Sequence, residues 1–193
     1  MQSIQYPERY RRDAVDSVPG AVATGSHLNM PQTSIQIAEE ITRLLGEQSI
    51  ESIYRDKILT GRTRQYEMKP PKKGAEVEII HTLLGVELKV GNRRLLCPDL
   101  ATARYLSVFA RLGCETIAVP YDITNTSRLA DELESSWYRM LLLIESMAEG
   151  RSARLRKMVE RHLIATTRIS IAEAGSGPKY PAFAQPARRK PRR

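Results

Sequence analysis

The feature that most constrains the fold is a run of alternating charged and apolar residues between Ala75 and Cys97. The segments AEVEII, GVELKV and RRLLC alternate with a period of two, which is typical of strands that bury one face. Gly91-Asn92 separates the last two segments, and both residues tolerate the positive φ that a two-residue hairpin needs. The sequence therefore predicts three consecutive antiparallel strands.

The two turns set the register of this meander. A turn at Gly91-Asn92 places Lys89 opposite Arg94, and a turn from Thr82 to Gly85 places Glu78 opposite Lys89. The apolar face, which we expect to lie on the core, then consists of Val86, Leu88, Val90, Leu95 and Cys97. The opposite face carries Glu78, Glu87, Lys89 and Arg94.

Helical signals surround the meander. Thr33 and Gln36 have capping-box spacing ahead of an apolar period, and Asp99 precedes a helix that Gly113 would end. CETIAVPYDI is predicted as a short strand, and it is followed by two helices, over 127–149 and from 152 to about 167. The segment 61–74 is predicted to be a basic linker, because Pro70-Pro71 blocks regular structure.

These elements predict an α/β fold with the order α-β-β-β-α-β-α-α. The antiparallel three-stranded meander is expected together with a fourth strand after a crossover helix. A single domain is expected over 31–172. The segments 1–30 and 173–193 lack periodicity and are predicted to be disordered, the second as a basic, proline-rich tail.

The formal charge of +8 is unevenly distributed. Six basic residues and no acidic ones lie in 174–193, so the rest of the chain carries only +2 of the total. Residues 55–94 hold ten Lys/Arg against five Asp/Glu, residues 151–168 hold six against one, and residues 115–149 hold two against seven. The basic regions indicate DNA or RNA as a partner, and an acidic protein partner is the alternative. Solvated helix faces and loops explain the same charges without a partner.

Composition excludes several classes of protein. No stretch reaches the ~18 to 20 apolar residues of a membrane-spanning helix, and the N-terminus lacks the apolar run of a secretory signal. Two isolated cysteines, Cys97 and Cys114, are too few for a disulfide scaffold. A cytoplasmic protein without a transmembrane segment is expected, and a homodimer is left open.

VELKV places Glu87 and Lys89 two residues apart on one strand face, a spacing that metal-dependent phosphodiester cleavage can use. Here the sequence resembles the PD-(D/E)XK nuclease superfamily, which includes restriction endonucleases, over residues 75–119. The resemblance implies a restriction-endonuclease-like fold and Mg²⁺-dependent endonuclease (hydrolase) activity. It implies metal ligands at Glu87 and Glu78, with Glu76 as an alternative to Glu78, and a catalytic role for Lys89.

Nucleic-acid contacts are predicted from the basic 55–94 region, at Arg62, Arg64, Lys72, Lys73, Arg93 and Arg94. One position departs from the family pattern, since Glu76 and Glu78 stand where the family carries an aspartate. A simple cross-strand ion pair between Glu78 and Lys89 explains the same residues. The alternative function is therefore a non-catalytic adaptor on the same scaffold that binds nucleic acid or protein.

Overall fold

The computed structural model describes residues 33–68 and 76–177. Within these ranges the chain is a mixed α/β protein with two small antiparallel sheets. Its elements are α1 (Ser34–Leu45), α2 (Ile50–Ser52) continuing as a π-helical turn (Ile53–Ile58), β1 (Thr63–Glu67), β2 (Val77–Thr82), β3 (Gly85–Val90), β4 (Arg93–Cys97), α3 (Leu100–Leu112), β5 (Thr116–Pro120), α4 (Ile123–Met147) and α5 (Ala153–Ala174). None of these helices is long and apolar enough to cross a membrane. The predicted N-terminal segment 1–30 and residues 178–193 of the predicted tail lie outside the described residues.

The predicted capping groups begin and end the helices. Thr33 and Gln36 form the expected capping box at α1, since the Thr33 side chain accepts the Gln36 N–H and the Gln36 side chain accepts the Thr33 N–H. The Asp99 carboxylate accepts the N–H of Thr102 at 2.7 Å at the start of α3. Gly113 ends α3 in the left-handed region, with φ 73°. These three predictions are confirmed.

The predicted meander and its register are also confirmed. β2, β3 and β4 pair antiparallel, with Glu78 opposite Lys89 and Lys89 opposite Arg94. Leu88 and Cys97 are buried on the apolar face, which packs on α3. This packing leaves the opposite face, with its four charged side chains, directed away from the core.

The linker prediction is wrong for residues 63–67, and the predicted fourth strand forms but lies outside the meander sheet. Residues 63–67 form β1 instead of linker, and β5 pairs antiparallel with β1 in a separate sheet, with Thr63 opposite Pro120 and Glu67 opposite Thr116. The order therefore gains a strand ahead of the meander, and the restriction-endonuclease-like arrangement is not confirmed. TRQYE has no apolar alternation, so its strand conformation depends on pairing with the apolar β5.

Two tyrosine hydroxyl groups form hydrogen bonds at the edge of β5 that does not pair with β1. The Tyr121 N–H donates to the Arg62 carbonyl, and in an antiparallel pair only every second residue bonds to the partner strand. Ala118 is three residues before Tyr121, so its backbone groups point to the edge of β5 away from β1. There Tyr54 Oη accepts the Ala118 N–H at 2.9 Å, and Tyr105 Oη donates to the Ala118 carbonyl at 2.6 Å. Burial raises the pKa of Tyr54 to about 12, so its hydroxyl keeps the proton that it donates to the Gly175 carbonyl. The backbone N–H and carbonyl of Ala118 at this edge therefore have side-chain partners.

Candidate functional site

The outer face of the meander carries the charged residues that the sequence predicted as catalytic. Lys89 Nζ lies 2.8 Å from Glu78 Oε2, and Arg94 Nη1 lies 3.5 Å from Glu87 Oε2. Glu87 and Lys89 share this face because they are two residues apart in β3. Each carboxylate therefore faces a cation from a neighbouring strand, and the four side chains together are formally neutral.

The metal-binding capacity of this face rests on few ligands. Within residues 33–68 and 76–177, no group of three or more His, Cys, Asp or Glu side chains could hold a metal ion. Glu76 lies one residue before β2, is exposed, and accepts the Gly91 N–H through its backbone carbonyl at 2.8 Å. Mg²⁺ needs only one or two protein carboxylates when substrate phosphates supply further oxygens. Lys89 and Arg94 each contact only one oxygen of the Glu78 and Glu87 carboxylates.

The predicted phosphate-binding residues do not form one cluster. Arg93 and Arg94 are consecutive in β4, so their side chains leave opposite faces of the meander. Arg62 precedes β1 and Arg64 lies within it, which places both on the other sheet. Lys72 and Lys73 lie outside the described residues. The structure therefore separates the predicted set into at least two surfaces.

Arg62 and Arg64 lie beside Tyr121, which the sequence prediction did not connect with them. The backbone bond from Tyr121 to Arg62 places these two residues directly across the β1–β5 sheet. The guanidinium carbon of Arg64 lies 6.0 Å from the centre of the Tyr121 ring. The pairing of β1 with β5, two strands 53 residues apart, creates this contact. The sequence prediction missed the contact because it placed residues 61–74 in a linker.

A second basic surface follows helix α5. Four exposed basic residues recur at intervals of three, four and seven, which places them on one helical face. No described carboxylate lies within ion-pair distance of any of them. We call this surface the α5 stripe; it consists of Arg154, Lys157, Arg161 and Arg168.

The acidic helix α4 is largely neutralised by its neighbours. Lys57 lies 2.6 Å from Glu132, and Arg104 contacts both Asp131 and Glu134. A further ion pair joins Glu145 to Arg156 in the first turn of α5. These contacts weaken α4 as a docking surface for a basic partner, since all four of its carboxylates already have a cation.

A groove of about 530 Å³ lies between the last turn of α5 and the start of β5. Its lining includes Cys114, Glu115 and Arg168. Cys114 is buried, and burial raises the pKa of its thiol to about 12, so no thiolate is present for nucleophilic chemistry at neutral pH. The described residues that line the groove include neither a reactive thiol nor a pair of acids.

The sequence resemblance to PD-(D/E)XK nucleases rests on the short pattern around Glu87 and Lys89. Comparison with models of protein families, with curated proteins and with solved structures finds no match to this chain.

Proposed function

We propose that this chain is a nucleic-acid-binding protein that contacts phosphates through the α5 stripe, without cleaving the strand. The observation that supports the proposal is the run of four exposed cations with no carboxylate partner in the described part of the chain. Lys and Arg side chains in this state keep their full charge for a polyanion, and binding releases the counterions that a phosphate backbone condenses.

The spacing of the stripe suits an extended polyanion. Arg154 and Arg168 are fourteen residues apart in one helix, which corresponds to about 21 Å along its axis. Met158 and Ile169 are exposed beside the cations, and Val159 and Leu163 on the opposite face are buried in the core. The stripe is thus held on a helix whose other side anchors it, so its charges keep a fixed spacing.

Binding as a function of salt tests this proposal. Full-length protein should bind a fluorescein-labelled oligonucleotide, with log K falling linearly against log salt. The variant Arg154→Gln/Lys157→Gln/Arg161→Gln should lower that slope by about 3, one unit for each cation that no longer neutralises a phosphate. The six basic residues of 174–193 are present in both proteins, so the difference belongs to α5. Equal slopes and affinities for the two proteins would refute the proposal.

A second candidate is Mg²⁺-dependent endonuclease activity at the meander face. The observation in its favour is that Glu78, Glu87 and Lys89 share one face of the meander, as the Glu-x-Lys pattern requires. A bound Mg²⁺ would supply charge for a phosphate oxygen and an activated water. Glu87, Glu78 and the adjacent Glu76 are the carboxylates available to hold the ion.

Calorimetry separates the two candidates. Mg²⁺ binding to wild type that disappears in Glu87→Ala, together with oligonucleotide cleavage abolished in Glu87→Ala and Lys89→Ala, would establish the endonuclease. Arg93→Ala is a matched control, because Arg93 lies on the opposite face of the meander and should leave Mg²⁺ binding unchanged. Oligonucleotide binding without Mg²⁺-dependent cleavage would support the non-catalytic function.

A further inference from the structure

The ends of β1 and β5 bring an aromatic ring and two guanidinium groups onto one face. Tyr121 follows β5 and donates its N–H to the carbonyl of Arg62 at 3.2 Å. Arg64 lies two residues beyond Arg62, so strand alternation puts both side chains on the same side of the sheet. The guanidinium carbon of Arg64 lies 6.0 Å from the ring centre, at the outer limit of a cation–π contact.

Tyr121 lies at the surface beside β5. Tyr121 is 55% exposed, whereas Tyr54 and Tyr105 are fully buried and bond to β5 through their hydroxyl groups. Ile123, the first residue of α4, is also exposed. The Asp122 carboxylate between them accepts the Thr124 N–H as the helix cap. That carboxylate is thereby engaged with the helix terminus.

The two arginines keep their charge for a ligand. Neither Arg62 nor Arg64 forms an ion pair with a carboxylate in residues 33–68 or 76–177. The Nε atom of Arg64 is buried and has no acceptor among the described residues. The Arg64 guanidinium group lies beside the exposed Tyr121. It can therefore contact the phosphate of a nucleotide whose base stacks on the ring.

We propose that Tyr121 is a platform on which an unpaired base of single-stranded nucleic acid stacks, while Arg62 and Arg64 contact the adjoining phosphates. This inference rests on the proposed nucleic-acid binding and adds the strandedness of the ligand. Every base has a π-face, so stacking tolerates sequence variation, but a duplex keeps its bases inside and offers none to a surface ring. The platform therefore selects single strands, and the α5 stripe alone does not.

Fluorescence anisotropy on the full chain tests this selection. The probes are a fluorescein-labelled single strand of about 15 nucleotides, a length within the range of single-strand binding sites, and the duplex of the same sequence. Tyr121→Ala should weaken single-strand binding at least about fivefold, because the variant has no ring on which a base can stack. Tyr121→Phe should bind like wild type, because the ring face remains. The matched control is Tyr138→Ala, since Tyr138 is equally exposed, on α4.

The outcomes separate the platform from the proposed function. Weaker binding of Tyr121→Ala to the single strand alone, with the salt slope unchanged, supports the platform, since a ring contributes no counterion release. The platform is overturned if Tyr121→Ala leaves single-strand affinity unchanged or weakens binding to both probes equally. In either case the proposed function stands if the α5 variant still weakens binding. Absence of binding by wild type to either probe refutes both.

Discussion

The outer face of the meander and the outer face of α5 both present cations to solvent, but the two surfaces differ in what lies beside those cations. On the meander, Lys89 faces Glu78 and Arg94 faces Glu87. On α5, the stripe of Arg154, Lys157, Arg161 and Arg168 has no described carboxylate within ion-pair distance. The first surface is formally neutral, and the second keeps a charge of +4.

This difference shows why a count of basic residues does not locate a binding surface. Residues 55–94 hold more Lys and Arg than residues 151–168, yet two of their cations, Lys89 and Arg94, are offset by a carboxylate on the next strand. A polyanion would have to displace those carboxylates before it met the cations, and it meets the α5 stripe directly. Charge that remains without an internal partner is the charge that a phosphate backbone can use.

The largest expected effect tests which face of the meander is open to solvent. Leu88→Ala should lower the free energy of unfolding by about 2 to 5 kcal/mol, because Leu88 is 0% exposed and its removal leaves a cavity. Leu96→Ala is the matched control on the outer face, at 61% exposed, and should change stability by less than about 0.5 kcal/mol. Urea denaturation measures both. Similar destabilisation of the two variants would mean that the outer face is covered and the comparison fails.

The next effect separates the two basic surfaces by their role in nucleic-acid binding. Lys89→Gln/Arg94→Gln should change oligonucleotide affinity by less than about threefold, whereas Arg154→Gln/Lys157→Gln/Arg161→Gln should weaken it by about tenfold or more at physiological salt. The physical reason is that the meander cations are already offset by Glu78 and Glu87. Anisotropy titrations measure both variants. Equal weakening would show that paired and unpaired cations contribute alike.

A smaller effect measures the ion pair itself. Glu78→Lys and Lys89→Glu should each destabilise the protein, and the double variant should restore stability, with a coupling energy of about 0.2 to 1 kcal/mol for this half-exposed cross-strand pair. A double-mutant cycle by denaturation in low and high salt measures the coupling. A coupling of zero at low salt would remove the reason for treating the meander face as self-neutralised.

The smallest effect concerns the contribution of the α5 stripe to the stability of the protein. Lys157→Gln should change the free energy of unfolding by less than about 0.5 kcal/mol, with any change towards greater stability at low salt, because the substitution relieves repulsion from Arg154 and Arg161. Thermal denaturation at two salt concentrations measures this change. Clear destabilisation would reveal an attractive partner for Lys157.

The local signals in the sequence predicted much of the fold. The period-two alternation between 75 and 97 and the Gly91-Asn92 turn predicted the meander and its register, including Glu78 opposite Lys89. The capping residues Thr33, Asp99 and Gly113 predicted helix ends. These features succeed because each depends on residues close in sequence.

The candidate sites depend on contacts that no local pattern contains. TRQYE was predicted as part of a basic linker that contains Pro70-Pro71, and it forms β1 because the distant β5 pairs with it. The contact of Arg64 with Tyr121 follows from that pairing, and the two residues are separated by 57 positions. The basic face of α5 was visible in the sequence, but the absence of counterions from the described neighbours was not.

The sequence by itself determined the meander, its charged outer face and the ends of the helices, since short-range periodicity and capping chemistry specify them. Only the tertiary structure decided that β5 pairs with β1, while the Tyr54 and Tyr105 hydroxyl groups bond to Ala118 at the other edge of β5. Tertiary contacts also decided which cations are neutralised and which remain available. The physical reason is that ion pairs, strand pairing and buried hydrogen bonds join residues that are distant in the chain, and local preference cannot specify them.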